Sequence, residues 1–201
     1  MTKTAFLIPY KGTNKAKTRL RRKLNGEVVD KLLFRLFGAV IQELSEIKIE
    51  KSIYILTKNS NLRLNDNCIK IIDKKDNFNE AIVEAVKDLS EENIIIIMAD
   101  LYKIRKREIR RIIKLRKKYS VVIAPSENDG TSIFAFSKKL LSEIEFCFGN
   151  NSSLIFEKQF KQKGINYFKL RYKNVFKDID NLEDILSIKN LAKELNLFNK
   201  N

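Results

Sequence analysis

The stretch of residues 94–104 constrains the fold more than any other, because four consecutive isoleucines run almost directly into a carboxylate. A run of β-branched apolar residues predicts a strand that is buried on both faces. Such strands belong to parallel sheets covered by helices, and in open sheets of that kind ligands bind just beyond the carboxyl ends of the strands. The sequence therefore predicts that Asp100, which follows the strand 94–99, lies at a ligand-binding edge.

Short apolar runs and helical patterns alternate through the first half of the chain. Strands are predicted at residues 4–9, 52–57, 68–72 and 94–99, and helices at residues 27–44, 78–89 and 105–118. The helices are recognised by apolar residues that recur every three or four positions. This alternation predicts an α/β fold with a largely parallel sheet.

The second half of the chain is less regular. Strands at residues 121–125 and 132–136 flank a turn and need not be parallel neighbours. Three further helices are expected: one near 138–143, one that ends at about residue 163 and one that begins at residue 182. A strand is expected at 166–170. The 201 residues, 44% of them hydrophobic, suffice for one sizeable core, so one domain over residues 1–201 is predicted.

Charge and residue types restrict the chemistry. Lysine and arginine exceed aspartate and glutamate by 40 to 25, and the net charge of +15 would attract polyanions such as nucleotides or nucleic acids. The chain has no histidine, so an enzyme of this composition would favour metal-assisted or electrostatic chemistry over a histidine triad. Without a signal-like start or an apolar run of roughly 20 residues, we expect a cytoplasmic protein with no membrane partner.

A basic loop follows the first strand. It contains Gly12 together with several cations, among them Lys11, Lys17 and Arg19. Backbone amides freed by the glycine and the positive side chains could share the charge of a triphosphate. The spacing is not that of a Walker loop, and a solvated basic loop explains the charge about equally well.

Six short segments resemble, in order, the motifs of the 2-phospho-L-lactate guanylyltransferases. Residues 8–20 are similar to the first motif, in which Val/Ile-Pro-x-Lys is followed after five residues by Lys-Ser/Thr-Arg-Leu. The other matches are residues 77–81, 98–101, 130–132, 148–152 and 178–184. The chain departs from the family pattern at Tyr102, Asp129, Ser132 and the pair Asn150-Asn151.

The resemblance implies a three-layer, Rossmann-like fold of the glycosyltransferase-A type with a mixed, mostly parallel sheet. It implies transfer of GMP from GTP to 2-phospho-L-lactate, or to a related three-carbon phospho-acid, with release of pyrophosphate in coenzyme F-420 biosynthesis. Such a transfer needs no histidine, because the phosphate oxygen of the acceptor is already ionised and the protein must chiefly position two polyanions.

The same resemblance implies roles for individual residues. Catalytic contacts to phosphate are implied for Lys11, Lys17 and Arg19, and Mg²⁺ ligation for Asp100, Asp178 and Asp180. Nucleotide binding is implied for Pro9, Gly12, Asn79, Ala99, Gly130 and Thr131, and acceptor binding for Gly149 and Ser152.

Other interpretations of these residues stay open. Asp100 and Asp180 could each cap the helix that follows, and Gly130 and Gly149 could be turn glycines. The basic segment 105–118 lacks interleaved aromatics, so a solvated surface is favoured over a nucleic-acid surface. The alternative functions are another nucleotidyltransferase of this fold, with a molybdopterin or sugar-phosphate acceptor, and a non-catalytic nucleic-acid-binding protein. A homodimer is also left open.

Overall fold

The computed structural model describes residues 3–12, 17–126, 128–171, 177–179 and 182–187. Its strands are β1 (Thr4–Pro9), β2 (Lys51–Thr57), β3 (Cys68–Ile72), β4 (Asn93–Ile97), β5 (Leu101–Tyr102), β6 (Val121–Pro125), β7 (Thr131–Ser137), β8 (Tyr167–Lys169) and β9 (Lys177–Asp178). Seven of them form one sheet in the order β3-β2-β1-β4-β7-β6-β8. In this sheet β7 runs antiparallel to both of its neighbours, and the remaining pairs are parallel.

Helices cover both faces of this sheet. The helices in the described part of the chain are α1 (Thr18–Arg21), α2 (Gly26–Ser45), α3 (Phe78–Asp88), α4 (Lys106–Arg116), α5 (Ser152–Gln162) and α6 (Leu182–Leu186). On one face α2 and α4 contribute to a buried apolar cluster, and on the other face α3 and α5 contribute to a second cluster. The structure is therefore the predicted three-layer α/β fold with a mixed, mostly parallel sheet.

Strand β4 is buried on both sides, as the isoleucine run predicts. Ile94 and Ile96 pack into the cluster that contains α3 and α5, whereas Ile95 and Ile97 pack into the cluster that contains α2 and α4. Each of the four side chains is at most 2% exposed. Because successive side chains of a strand point to opposite faces, a single apolar run serves both layers.

A small second sheet lies beyond the end of β4. It consists of β5 and β9, which pair antiparallel with Leu101 opposite Asp178. A third apolar cluster joins α1, the first half of α2 and α6 through residues that include Leu20, Val29 and Ile185. The sequence did not predict β5, β9 or α1, because elements of two to four residues are too short to show a periodicity.

Two predicted elements differ from the structure. The helix predicted near 138–143 is wrong: residues Lys138–Leu140 form a single 3₁₀ turn, and Ser137 before it provides no side-chain cap. The strand predicted at 94–99 ends at Ile97, so that residues 98–100 lead out of the sheet. Other boundaries agree to within one or two residues, and the helix predicted from residue 182 does begin at Leu182.

Membrane association, domain number, location and oligomeric state were also predicted from the sequence. Within the described ranges, no helix has the length and apolar character needed to cross a bilayer. The single domain, the cytoplasmic location and the homodimer stay predictions.

The aromatic cluster under β7 should dominate the stability of this half of the sheet. The ring of Phe134 lies 4.6–6.1 Å, centroid to centroid, from the rings of Phe136, Phe146, Phe148, Phe156 and Phe160. We expect Phe134→Ala to lower the free energy of unfolding by about 3–5 kcal/mol, because it leaves a cavity in a packed core. Urea denaturation provides the measurement. The control Phe34→Ala, at a position that is 58% exposed, should change it by less than about 0.5 kcal/mol.

Candidate active site

A cleft of about 740 Å³ opens at the carboxyl ends of β1 and β4. It is lined by Lys11, Lys17, Arg19, Phe78, Met98, Asp100, Ser126, Asn128, Gly130, Thr131, Phe148, Gly149, Asn150 and Asn151. The sheet topology explains why residues so distant in sequence meet here. Because β7 is antiparallel to β4, its first residues lie beside the last residues of β4, and the amide of Met98 donates to the carbonyl of Ser132 at 3.0 Å. The turn before β7 is thereby brought to the edge that holds Asp100.

An ion pair joins the basic loop to this edge. The ammonium of Lys17 lies 2.6 Å from Oδ2 of Asp100, with side chains that are 12% and 29% exposed. Lys17 has a left-handed backbone (φ 57°) and immediately precedes α1. The predicted convergence of the basic loop and the strand end is therefore present in the structure. Asp100 does not cap the following helix, because the N-cap of α4 is Arg105.

The position of Asp178 follows from the small sheet. Its backbone lies opposite Leu101, the residue after Asp100. Asp180 and the side chain of Asp178 lie outside the described residues, and among the described residues there is no group of three side chains that could hold a metal ion. The donor type of Asp100 nevertheless fits Mg²⁺, a hard cation that prefers carboxylate oxygen.

A smaller cavity of about 170 Å³ lies beneath the basic loop. Pro9, Gly12 and Ala99, three of the predicted nucleotide-binding residues, are among those that line it. Gly12 has a positive φ of 80°, a conformation that glycine adopts without strain. Tyr10 lies at the same place and stacks on Phe37 with 4.1 Å between ring centroids. Burial raises the pKa of its hydroxyl, and Asp30 raises it further, so the group remains a hydrogen-bond donor at neutral pH.

The opposite wall of the cleft is a pair of tight turns. A side chain at Gly130 would place its Cβ 2.7 Å from Oγ of Ser126, so only glycine fits there without a shift. The carbonyl of Asp129 accepts from the amide of Ser153 at 3.0 Å, which ties the first turn to the start of α5. Gly149 in the second turn has a positive φ of 147°. Gly130 and Gly149 thus shape the backbone turns that form this wall of the cleft.

Comparison with known proteins identifies the family. Residues 4–191 match the family model described as "Guanylyl transferase CofC like". The chain belongs to this guanylyltransferase family. A relative, the 2-phospho-L-lactate guanylyltransferase of Methanocaldococcus jannaschii, is 31% identical over 188 residues, which cover 91% of this chain and 81% of the relative.

Solved structures share the fold of this guanylyltransferase family member. A crystal structure described as a nucleotide-diphospho-sugar transferase from Desulfovibrio desulfuricans G20 superposes with a TM-score of 0.81 at 14% identity, covering 98% of this chain and 96% of that one. CMP:2-keto-3-deoxy-manno-octonic acid synthetase complexed with CTP superposes with a TM-score of 0.68 at 11% identity, covering 96% and 99%. At these identities the likeness concerns the fold.

One predicted site residue of this guanylyltransferase does not reach the cleft. Ser152 is fully buried, and its Oγ lies 2.8 Å from Oγ1 of Thr131. The hydroxyl of Ser152 thus braces the turn before β7 against α5, and acceptor binding by Ser152 stays a prediction. Thr131, also largely buried, shares this bracing contact, although it does line the cleft.

Asn79 lies beside the Gly149 turn, where its side chain is hydrogen-bonded to the backbone of Phe148. Its Oδ1 accepts from the amide of Phe148 at 2.7 Å, and its Nδ2 donates to the carbonyl of the same residue at 3.4 Å. The side chain therefore clamps the segment that leads into the Gly149 turn. Nucleotide contact by Asn79 stays a prediction.

Sequence reasoning missed several residues of the cleft. Phe78, Phe148 and Asn128 line it and were not singled out. Phe78 begins a helix and Phe148 lies in a loop, and an apolar ring gives the same sequence signal whether it faces a core or a cleft. Lys11, Lys17, Arg19 and Asp100, by contrast, were predicted and are brought together.

Removal of the Asn79 clamp should loosen the Gly149 turn. We expect Asn79→Ala to lower the free energy of unfolding by about 1 kcal/mol, because backbone groups of Phe148 lose their partners. Amide hydrogen exchange in residues 148–151 should become faster, as followed by mass spectrometry. Asn61→Ala is the control, since the exposed Asn61 forms no side-chain hydrogen bond within the described structure. Equal exchange in the two variants would contradict the clamp.

Proposed function

We propose that the protein transfers GMP from GTP to 2-phospho-L-lactate, or to a related three-carbon phospho-acid, and releases pyrophosphate. The observation that carries the proposal is the ion pair between Lys17 and Asp100 in an open cleft at the strand ends of a guanylyltransferase family member. The relative of this name in Methanocaldococcus jannaschii supports the choice of substrates.

Cations on one side of the cleft would bind the triphosphate. Lys11, Lys17 and Arg19 all line the cleft, and Arg19 can offer a planar fork of donors to phosphate oxygens. Gly12, in the same loop, lines the smaller cavity with Pro9 and Ala99, and the nucleoside would lie toward that cavity. These groups position the α-phosphorus for in-line attack by an acceptor oxygen that is already ionised.

Carboxylates at the sheet edge would hold Mg²⁺. We assign Asp100 to this task, together with Asp178 and Asp180. The ion, when bound, would neutralise phosphate charge and stabilise the departing pyrophosphate. Lys17 is paired with Asp100 in the free protein. On nucleotide binding the ammonium would turn to phosphate, and the Asp100 carboxylate would then be available to hold the ion.

The turns across the cleft would receive the acceptor. Gly149 and the adjacent Asn150 and Asn151 line this wall and offer backbone and amide donors to a phospho-acid. The two turns approach each other at Gly130: a Cβ there would lie 3.6 Å from the carbonyl oxygen of Gly149 and 2.7 Å from Oγ of Ser126 in its own turn. A small acceptor is consistent with a wall built of tight turns.

A pyrophosphate-release assay tests the proposed reaction. We expect release with GTP, Mg²⁺ and 2-phospho-L-lactate, and a loss of about 100-fold or more in kcat/KM for Asp100→Asn, since metal assistance contributes several kcal/mol. Asp88→Asn, an exposed change at the end of α3, is the matched control and should retain activity. Absence of pyrophosphate with every three-carbon phospho-acid and every nucleoside triphosphate would refute the proposal. Salt-dependent binding to RNA without turnover would favour a nucleic-acid-binding protein.

The partner exchange of Lys17 predicts how the free protein binds metal. We expect Lys17→Met to bind Mn²⁺, a paramagnetic substitute for Mg²⁺, about five-fold or more tightly in the absence of nucleotide, because the competing ammonium is removed. Electron paramagnetic resonance of free Mn²⁺ measures this affinity directly. The variant should at the same time lose activity. Unchanged Mn²⁺ affinity in Lys17→Met would contradict competition for Asp100.

A further inference from the structure

Phe78 stands between the two walls of the cleft and has no function in the reaction as described so far. It is the first residue of α3, and the helix start is held by Asn77, whose side chain accepts from the amides of Asn79 at 2.8 Å and Glu80 at 3.2 Å. The ring lines both the cleft and the smaller cavity beneath the basic loop. A capped helix start therefore presents a half-buried aromatic ring to the candidate site.

The ring makes two directed contacts. The ammonium of Lys11 lies over its face, 4.9 Å from the centroid. The ring of Phe148 meets it nearly at right angles (76°), with 6.0 Å between centroids. Phe148 is itself anchored among Phe134 and Phe156, so that Phe78 links the basic loop to the packed aromatic cluster under β7.

These contacts restrict a side chain that would otherwise be loosely held. Lys11 is exposed, and within the described residues its ammonium contacts the ring of Phe78. A lysine ammonium sits on a flexible four-carbon stem, and the negative face of an aromatic ring attracts it, whereas an aliphatic side chain of similar size does not. The ring thus holds one phosphate-binding cation at a defined place in the cleft.

We propose that Phe78 is a positioning residue, which holds the Lys11 ammonium for the triphosphate and couples it to the Phe148 segment opposite. The proposal rests on the proposed function, because it assigns the held cation to a nucleotide. Lys11 would contact phosphate in both the ground state and the transition state, so loss of the ring should affect binding of the nucleotide more than the chemical step.

Steady-state kinetics of two substitutions test this role. We expect Phe78→Leu to raise the KM for GTP about two- to five-fold with kcat changed less than about two-fold, and Phe78→Tyr to restore the wild-type KM because it keeps the ring. The control is Phe168→Leu on β8, where the same chemical change removes an aromatic contact with Tyr119 away from the cleft. An equal rise in KM for Phe78→Tyr, or for Phe168→Leu, would overturn the proposal.

A double-mutant cycle separates positioning from general destabilisation. In a Lys11→Met background, Phe78→Leu should leave the KM for GTP unchanged, because the cation that the ring holds is already absent. If the changes in log KM for GTP caused by the two substitutions simply add, Phe78 acts independently of Lys11, and the assignment is overturned.

Nuclear magnetic resonance tests the contact without any reaction. The ring current of Phe78 should move the side-chain methylene protons of Lys11 upfield, with the resonance identified by its loss in Lys11→Met. The shift should persist in Phe78→Tyr and disappear in Phe78→Leu. Absence of this shift in the wild-type protein would overturn the contact, even if the protein turns over GTP. A protein that shows the shift but neither binds nor turns over any nucleoside triphosphate would instead refute the proposed function.

Discussion

Burial of the isoleucines of β4 on both faces of the sheet is the constraint on which the rest of the structure depends. Each fully buried isoleucine contributes about 1.5–3 kcal/mol, so this strand cannot lie at an edge or face solvent without a large loss. It therefore lies between β1 and β7, with a helical layer on either side. Its end, where the chain leaves the sheet, places Asp100 at the mouth of the cleft.

Electrostatic contacts act on a smaller scale within that frame. A partly exposed ion pair such as Lys17 with Asp100 contributes about 1 kcal/mol or less, far below the burial of β4. The fold therefore does not need the pair, which leaves both groups available for the exchange of partners proposed above. The cation–π contact between Lys11 and Phe78 is similarly weak, so its removal should leave the fold intact.

The two walls of the cleft are built on different principles. One wall carries the charged side chains of Lys11, Lys17 and Arg19. The other is made of turns that meet through Gly130, the buried pair of Thr131 with Ser152, and the Asn79 clamp on Phe148. Charge on one side and backbone geometry on the other suit a site that must hold two phosphorylated substrates together.

The sequence by itself determined the α/β class, most strand and helix positions, the family and the charged half of the site. It could do so because apolar runs, periodicity and lysine-rich spacing are local properties of the chain. Only the tertiary structure decided that β7 inserts antiparallel beside β4, that Ser152 is buried, that Asn79 clamps a loop and that Phe78 faces Lys11. These facts depend on which segments meet across the sheet, and a phenylalanine or a serine has the same local pattern whether it lines a cleft or fills a core.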